Sequence, residues 1–328
     1  MRVLSGSLLV LGFLLCASSA GLARSLAPQD IDSAQPGFKS PKKESVSRAA
    51  IVKAQIMLAR VHFSPGEIDG REGENFKKAL TAFGEANNIP VKGKLSKELW
   101  DKLQQIAGEN ELTTEYEISD GDLKGPFAEK LPKKMEEMKD LPGLPYTNVV
   151  EAIAERFHIS EALLRDLNPG AKFTAGERLI VPNLETDDAV KAKRLEIDTK
   201  AQTVRVYDES DALVAYYPAT VGSTEKPSPS GELKVTSVSK NPTYHYNPDY
   251  NFKGVKSTKP FEIKPGPNNP VGTVWIGLSE KGYGIHGTPD PSKISKAESH
   301  GCVRLTNWDA EELSRMVGKG TPVSFQNH

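Results

Sequence analysis

Apolar and polar positions divide the chain into helical, mixed and strand-like stretches. Between 49 and 103, AAIVKAQIMLARVHFSPGEIDGREGENFKKALTAFGEANNIPVKGKLSKELWDKL repeats apolar residues at helical spacing and breaks them with Pro-Gly, Asp-Gly and Lys-Gly turns. That predicts three short helices around Ile51, Ile56, Leu58, Phe76, Leu80, Phe83, Leu99, Trp100 and Leu103, a small helical domain over 48–106. In 107–145 a brief alternation, LTTEYEIS, precedes a Lys-, Glu- and Pro-rich segment, which reads as a strand-containing connector with a mobile part. The stretch 146–184 sets Val149, Ile153, Ala154 and Phe157 on one helix, Leu163, Leu164 and Leu167 on a second, and Leu179, Ile180 and Val181 on a closing strand. His158 falls at a helix end and reads as a surface residue without a catalytic role.

After a charged linker over 185–193 the period becomes two. RLEIDTKAQTVRVYD puts Leu195 and Ile197, then Val204 and Val206, on one face either side of a Thr-Lys-Ala-Gln turn, the pattern of a hairpin. Further alternation over 213–220 and 232–237 implies a mostly antiparallel sheet or sandwich filling 194–326. Regularity stops at 241–270, a stretch rich in Pro, Asn, Gly and Tyr and too long for an ordinary connection. Its tyrosines, Tyr244, Tyr246 and Tyr250, suit a lid packed over bound substrate, with His245 as a contact or surface residue.

Composition narrows the class. With 328 residues, 26% of them charged, and a formal net charge of −1, the chain reads as a soluble globular protein of two or three domains, without the basic excess of a nucleic-acid binder. Met1 and Arg2 lead into the apolar run 8–15, followed by small residues at Ser18, Ser19, Ala20, Gly21 and Ala23. This predicts a signal peptide over 1–23, cut after Ala20 or Ala23, with an apolar core too short to span a bilayer. An uncleaved N-terminal anchor is the alternative. Cleavage delivers a mature chain without a transmembrane segment to the periplasm or cell wall, and the Pro-, Ser-, Lys- and Ala-rich 24–47 reads as a flexible tether.

Cleavage also removes Cys16 and leaves Cys302 as the remaining cysteine in a compartment where thiols usually pair. A buried cysteine serving as a small hydrophobe is one explanation. Its neighbours suggest another. The stretch 286–308, HGTPDPSKISKAESHGCVRLTNW, gathers a thiol, two imidazoles, a guanidinium and several glycines. Gly301 beside the sulfur permits a tight turn and close approach of substrate, and the N–H groups of Gly301 and Cys302 are candidates for stabilising an oxyanion. A thiol of pKa about 8.5 is only slightly ionised at neutral pH, so attack calls for a base, and His286 is the natural one. His300 is placed to tune the thiol, hold the turn or contact substrate; the sequence does not separate these roles. Arg304 suits a carboxylate through its planar fork, or else pairs at the surface with Asp309 or Glu312. Ser299 reads as a turn hydrogen-bonder that also borders substrate, and Asn307 as a helix N-cap that doubles as a site residue. A zinc site of His286, His300 and Cys302 uses the same atoms, but one glycine separates the last two and no acidic residue is placed to activate a metal-bound water. The expectation is therefore no metal and no cofactor.

The stretch 286–308 closely resembles the catalytic motif of the L,D-transpeptidases, in which a His-Gly pair is followed by Ser-His-Gly-Cys, an arginine and an asparagine. Residues 194–326 resemble that catalytic domain throughout, including the Pro-Ser-Gly turn, the loop of Pro265, Gly266, Pro267, Asn268, Asn269 and Pro270, and the strand of Trp275, Ile276 and Gly277. The resemblance implies that Cys302 attacks the L–D peptide bond of a tetrapeptide stem, releases D-alanine and passes the acyl group to an amine. It also implies that a backbone carbonyl, that of Gly287, orients the ring of His286. Cross-linking of peptidoglycan, attachment of an envelope lipoprotein, exchange of D-amino acids and hydrolysis by water (an L,D-carboxypeptidase) share that acyl-enzyme, and carbapenems would acylate the same thiol. Residues 48–106 resemble a peptidoglycan-binding domain at Pro65, Gly66, Glu67, Ile68, Asp69 and Gly70 and the helix holding Ala79 and Phe83. Asn75 and Gly84 replace that family's usual threonine and frequent glutamine, so a purely structural bundle stays open. Residues 146–184 resemble a LysM module at Leu167, Asn168, Pro169 and Gly170 and at 175–179, which implies glycan strands as a partner beside the stem peptides. A non-catalytic wall-binding scaffold is the reading from another class.

Overall fold

The computed structural model describes residues 26–38, 46–91, 93–108, 110–185, 190–222, 227–250, 255–296 and 301–327. The predicted signal peptide and two site candidates, Ser299 and His300, lie outside the described residues.

The first unit is helical: α1 (Pro28–Asp32), α2 (Arg48–Arg60), α3 (Glu74–Ala86) and α4 (Lys97–Ala107). Ser47 and Ser96 cap α2 and α4, their hydroxyls accepting from the N–H of Ala50 and Leu99. Ile56, Leu58, Phe76, Leu80, Phe83, Leu99, Trp100 and Leu103 are buried as the helical period requires. The described stretch 26–38 of the expected tether is corrected here. Ile31 on α1 is fully buried, and the Asp32 carboxylate accepts from the Leu112 N–H at 3.0 Å and the Thr113 hydroxyl at 3.0 Å. A single helical turn carrying one apolar residue is too short to register as a period, so composition alone suggested a linker.

The second unit is β-α-α-β. Its first strand, β1 (Thr113–Glu117), pairs antiparallel with its last, β2 (Arg178–Pro182). The helices α7 (Val149–Arg156) and α8 (Glu161–Leu167) lie between them in sequence, and α8 packs on β2. The strand assigned to a connector thus belongs to this unit. Between β1 and the first of those helices runs a long excursion carrying α5 (Asp120–Leu123) and α6 (Met135–Met138).

The third unit holds β3 (Arg194–Asp198), β4 (Thr203–Tyr207), β5 (Leu213–Pro218), β6 (Thr220–Val221), β7 (Gly231–Lys240), β8 (Tyr244–Tyr246), β9 (Phe261–Ile263), β10 (Val274–Leu278), β11 (Gly284–His286), β12 (Val303–Arg304), α9 (Asn307–Met316) and β13 (Pro322–Gln326). Among the described residues, nine of these strands form one sheet in the order β5-β4-β3-β13-β7-β10-β11-β12-β6. Its pairs are antiparallel except β3 with β13 and β11 with β12. The predicted hairpin is β3 with β4, where Leu195 faces Val206 and Ile197 faces Val204, all fully buried. The strands β8 and β9 form a separate hairpin within the expected lid.

The units are interlocked by one stretch of the helical unit. The Ser64 N–H donates to Tyr216 O and the Tyr216 N–H to His62 O, a bridge onto β5. Four residues on, the Ile68 N–H donates to His158 O and the Ser160 N–H to Ile68 O. His158 is accordingly no surface residue: its ring stacks on Trp308 of α9 at 5.2 Å.

Candidate active site

One transverse row of the sheet carries the chemistry. Across β7, β10, β11, β12 and β6 the register partners are Ser239, Trp275, His286, Arg304 and Thr220. Cross-strand partners share a face, and Cys302, in the bend that leads into β12, opens onto the same cavity as that row. The adjacent row, Ile276, Ile285, Val303 and Val221, points the other way into the core beneath α9. Period two therefore separates the site from the core within single strands. The first four of the row and Cys302 line a cavity of about 640 Å3 whose walls also include Tyr244, His245, Pro242 and Val271.

His286 ends β11, and its Nδ1 lies 2.7 Å from Gly287 O. A carbonyl can only accept, so Nδ1 carries the hydrogen and Nε2 of the neutral ring is left with its lone pair. The ring is 4% exposed and stacks on Trp275 at 5.6 Å. Burial, with the nearby Arg304 charge, lowers its pKa to about 3, partly offset by the bond to Gly287. The base is held neutral. Cys302 is a partly exposed thiol, not half of a disulfide, and its Sγ donates to Gly282 O at 3.7 Å.

The turn before the sulfur is fixed from outside the motif. Gly301 has φ of +96°, a conformation that side-chain-bearing residues rarely adopt, and its carbonyl accepts from Ser228 Oγ at 2.9 Å. In a peptide plane C=O and N–H point oppositely, so anchoring that carbonyl sets the direction of the Cys302 N–H. Arg304 is half-buried beside the thiol, and loss of water lowers its pKa while the charges of Cys302, Tyr244 and Asp290 counter the shift. Of its suggested surface partners, Glu312 holds His62 Nδ1 at 2.5 Å, and Asp309 is buried.

Two expected substrate contacts are corrected. Asn307 is 2% exposed and lies under the site. Its Oδ1 accepts from the Thr273 N–H at 3.2 Å, and its Nδ2 donates to Glu155 at 3.0 Å and Pro267 O at 3.1 Å. A Cβ on Gly287 would come within 2.2 Å of Asn307 Oδ1, so this amide buttresses the residue that orients His286. Nor does Asn307 cap α9: Thr306 does, accepting from the Asp309 N–H at 3.1 Å. Tyr246 is buried against Phe261 at 4.5 Å and donates to Ser257 O at 3.3 Å, which makes it internal packing of the lid hairpin. Tyr244, two residues earlier, lines the cavity instead. Sequence reasoning missed Ser228, Trp275 as the stacking partner, and Met135, which reaches the cavity from α6. Alternation flanking His286 could have found Trp275; no local pattern marks the other two.

Residues 192–324 match the family described as the L,D-transpeptidase catalytic domain (YkuD), and residues 47–103 match the family described as "Putative peptidoglycan binding domain". The chain is 33% identical over 179 residues to the "Putative L,D-transpeptidase YkuD" of Bacillus licheniformis, covering 54% of this chain and 92% of that protein. It is 30% identical over 180 residues to the Bacillus subtilis protein of the same description, 54% of this chain and 93% of that one. Identity to the "Probable L,D-transpeptidase YbiS" of Escherichia coli is 27% over 193 residues, 55% of this chain and 60% of that one.

Proposed function

The chain belongs to the L,D-transpeptidase family, and from that premise we propose which of its residues carry the reaction and how. It is an acyltransferase that acts on peptidoglycan. Cys302 Sγ attacks the carbonyl carbon of the L–D peptide bond in a tetrapeptide stem while Nε2 of His286 takes the thiol proton. The N–H groups of Gly301 and Cys302 receive the oxyanion, where one donor is worth roughly 10² to 10³ in rate. The C–N bond breaks, His286 returns its proton to the departing amine of D-alanine, and a thioester remains. Arg304 steers the stem carboxylate. An amine then attacks the thioester and displaces the thiol, giving a cross-link with a second stem or attachment of a lipoprotein lysine; water in its place gives a carboxypeptidase. His300 and Ser299 stay in the proposal as tuning and turn-holding residues.

The observation that carries this reading is the pinned tautomer of His286 in the same cavity as Cys302. Incubation with a disaccharide-tetrapeptide should add to Cys302 the mass of the donor less D-alanine, and Cys302→Ala should show no adduct. A carbapenem should acylate the same residue. Persistence of activity in a chelator separates the thiol enzyme from a zinc hydrolase. Absence of any adduct on the wild-type protein would overturn the proposal.

For the remaining units we propose export by the N-terminal leader to the cell wall, and binding of glycan strands by the β-α-α-β unit as a LysM module, which would concentrate the enzyme on its substrate. The helical unit serves as a structural bundle in this reading, because the stretch bearing its peptidoglycan-binding resemblance contains Ile68, which is engaged with 158–160, and adjoins Ser64, which is bridged to β5.

A further inference from the structure

The excursion between β1 and α7 is rooted at both ends in the β-α-α-β unit. At its start, Arg156 of α7 pairs with Asp122 at 2.8 Å, and the Ala128 N–H donates to Tyr146 O at 3.0 Å. Its middle is fastened to the lid. The Lys256 N–H donates to Glu136 Oε1 at 2.6 Å, and α6 packs on β9. Further along, the Leu144 N–H donates to Pro265 O and the Asn268 N–H to Leu144 O, each at 3.0 Å, while Asn268 Nδ2 donates to Pro145 O at 2.9 Å. Leu144 is fully buried in this seam. One anchor lies on α6 itself and the other six residues beyond its end, and Met135 of α6 lines the wall of the cavity that contains Cys302, His286 and Arg304.

We propose that Met135 is a specificity-determining residue of the transfer reaction: an apolar wall, lent to the catalytic cavity by a neighbouring unit, that keeps water from the thioester and leaves deacylation to an amine. The proposal rests on the acyl-enzyme at Cys302 set out above. The thioester breaks when a nucleophile forms a new bond to its carbonyl carbon, the sulfur leaves with the bonding electrons, and the nucleophile's proton passes to His286 or the thiolate. Water and an amine compete for that carbon. Met135 lines the cavity together with Pro242 and Val271, whose side chains offer a water no hydrogen-bond partner. An amine acceptor brings binding groups of its own and tolerates such a wall. Excluding water in this way suppresses a side reaction without touching the acylation machinery.

The test uses the full-length protein with a stem tetrapeptide donor and a D-amino acid as amine acceptor, and reads two quantities: the Cys302 adduct by intact mass, and the ratio of hydrolysed to transferred product. Met135→Ala removes Cγ, Sδ and Cε and opens room for about two waters at roughly 30 Å3 each. The hydrolysis-to-transfer ratio should rise by about fivefold or more. Met135→Gln, of similar length but able to hydrogen-bond water, should raise it as well even if the alanine variant fails to fold, and Met135→Leu should restore the wild-type ratio. An adduct that forms normally in the alanine and glutamine variants with a ratio within twofold of wild type would overturn this inference alone. Absence of the adduct in wild type would overturn the acyl-enzyme reading and this inference with it.

Discussion

His286 is held in the form a general base needs, at the expense of its strength. Its folded pKa is about 3, set first by burial and then by Arg304. The ring is therefore neutral at any pH well above that value, and protonation does not switch the base off near the ordinary imidazole pKa of about 6.5. We predict that acylation of Cys302 by a carbapenem, followed by stopped-flow absorbance, shows no break between about pH 5 and 7. Arg304→Gln removes the second cause of the depression, so the acid limb should move upward in pH in that variant. An acid limb already centred at the unperturbed imidazole value in wild type would show that burial does not govern this ring. His286→Ala should slow acylation by roughly 10² to 10⁴. The contact of His286 with the Gly287 carbonyl was expected from the family resemblance that the dense motif around the His-Gly pair carries. The burial that sets its pKa was not, since it depends on Trp275 arriving from another strand.

At the scale of elements, the site is a consequence of register. Alternation in β10, β11 and β12 could be read from the chain, and it correctly separates Ile276, Ile285 and Val303 from Trp275, His286 and Arg304. Which strand lies beside which could not be read, because β11 and β12 are parallel neighbours joined by a loop without period. The same ignorance misplaced Tyr246, whose partner Phe261 lies fifteen residues on, across the lid hairpin. It also hid Ser228, which reaches Gly301 from a turn 73 residues away in sequence. Ser228→Ala deletes that bond, a change worth about 0.5–1.5 kcal/mol in stability. Its larger effect should be on the thiol, because the Gly301 peptide is then no longer held and the Cys302 N–H loses its fixed direction. The expected result is roughly a tenfold slower acylation of Cys302, with a modest drop in melting temperature. Unchanged acylation kinetics would show that the motif's own backbone suffices to aim the donor.

The whole molecule couples its units through buried ionisable groups, a feature that sequence patterns do not reveal because each partner is unremarkable in its own element. Glu155 of α7 is 8% exposed, donates nothing while ionised, and accepts from Asn307 under the catalytic site. Burial raises its pKa to about 8, with Glu151 and Glu311 adding to the rise while the bonds from Asn307 and Tyr146 oppose it. In the unfolded chain the same carboxyl titrates near 4.5. Between those values the folded state holds a proton that the unfolded state has released, so stability must fall as pH rises through that window. Asp309, likewise raised to about 8 by burial, acts in the same direction. His286, lowered to about 3, and His158, lowered to about 4, act oppositely, because below the ordinary imidazole range the unfolded chain gains protons that the folded one refuses. Glu155→Gln keeps an acceptor for Asn307 and removes only the titration. Its melting temperature should match that of wild type near pH 4.5 and exceed it by a growing margin toward pH 8, while the Asp309 and histidine contributions cancel in the difference. A margin that stays constant with pH would mean that Glu155 is ionised in the folded protein, and that the join between the β-α-α-β unit and the catalytic sheet is held by a charge instead of by a proton.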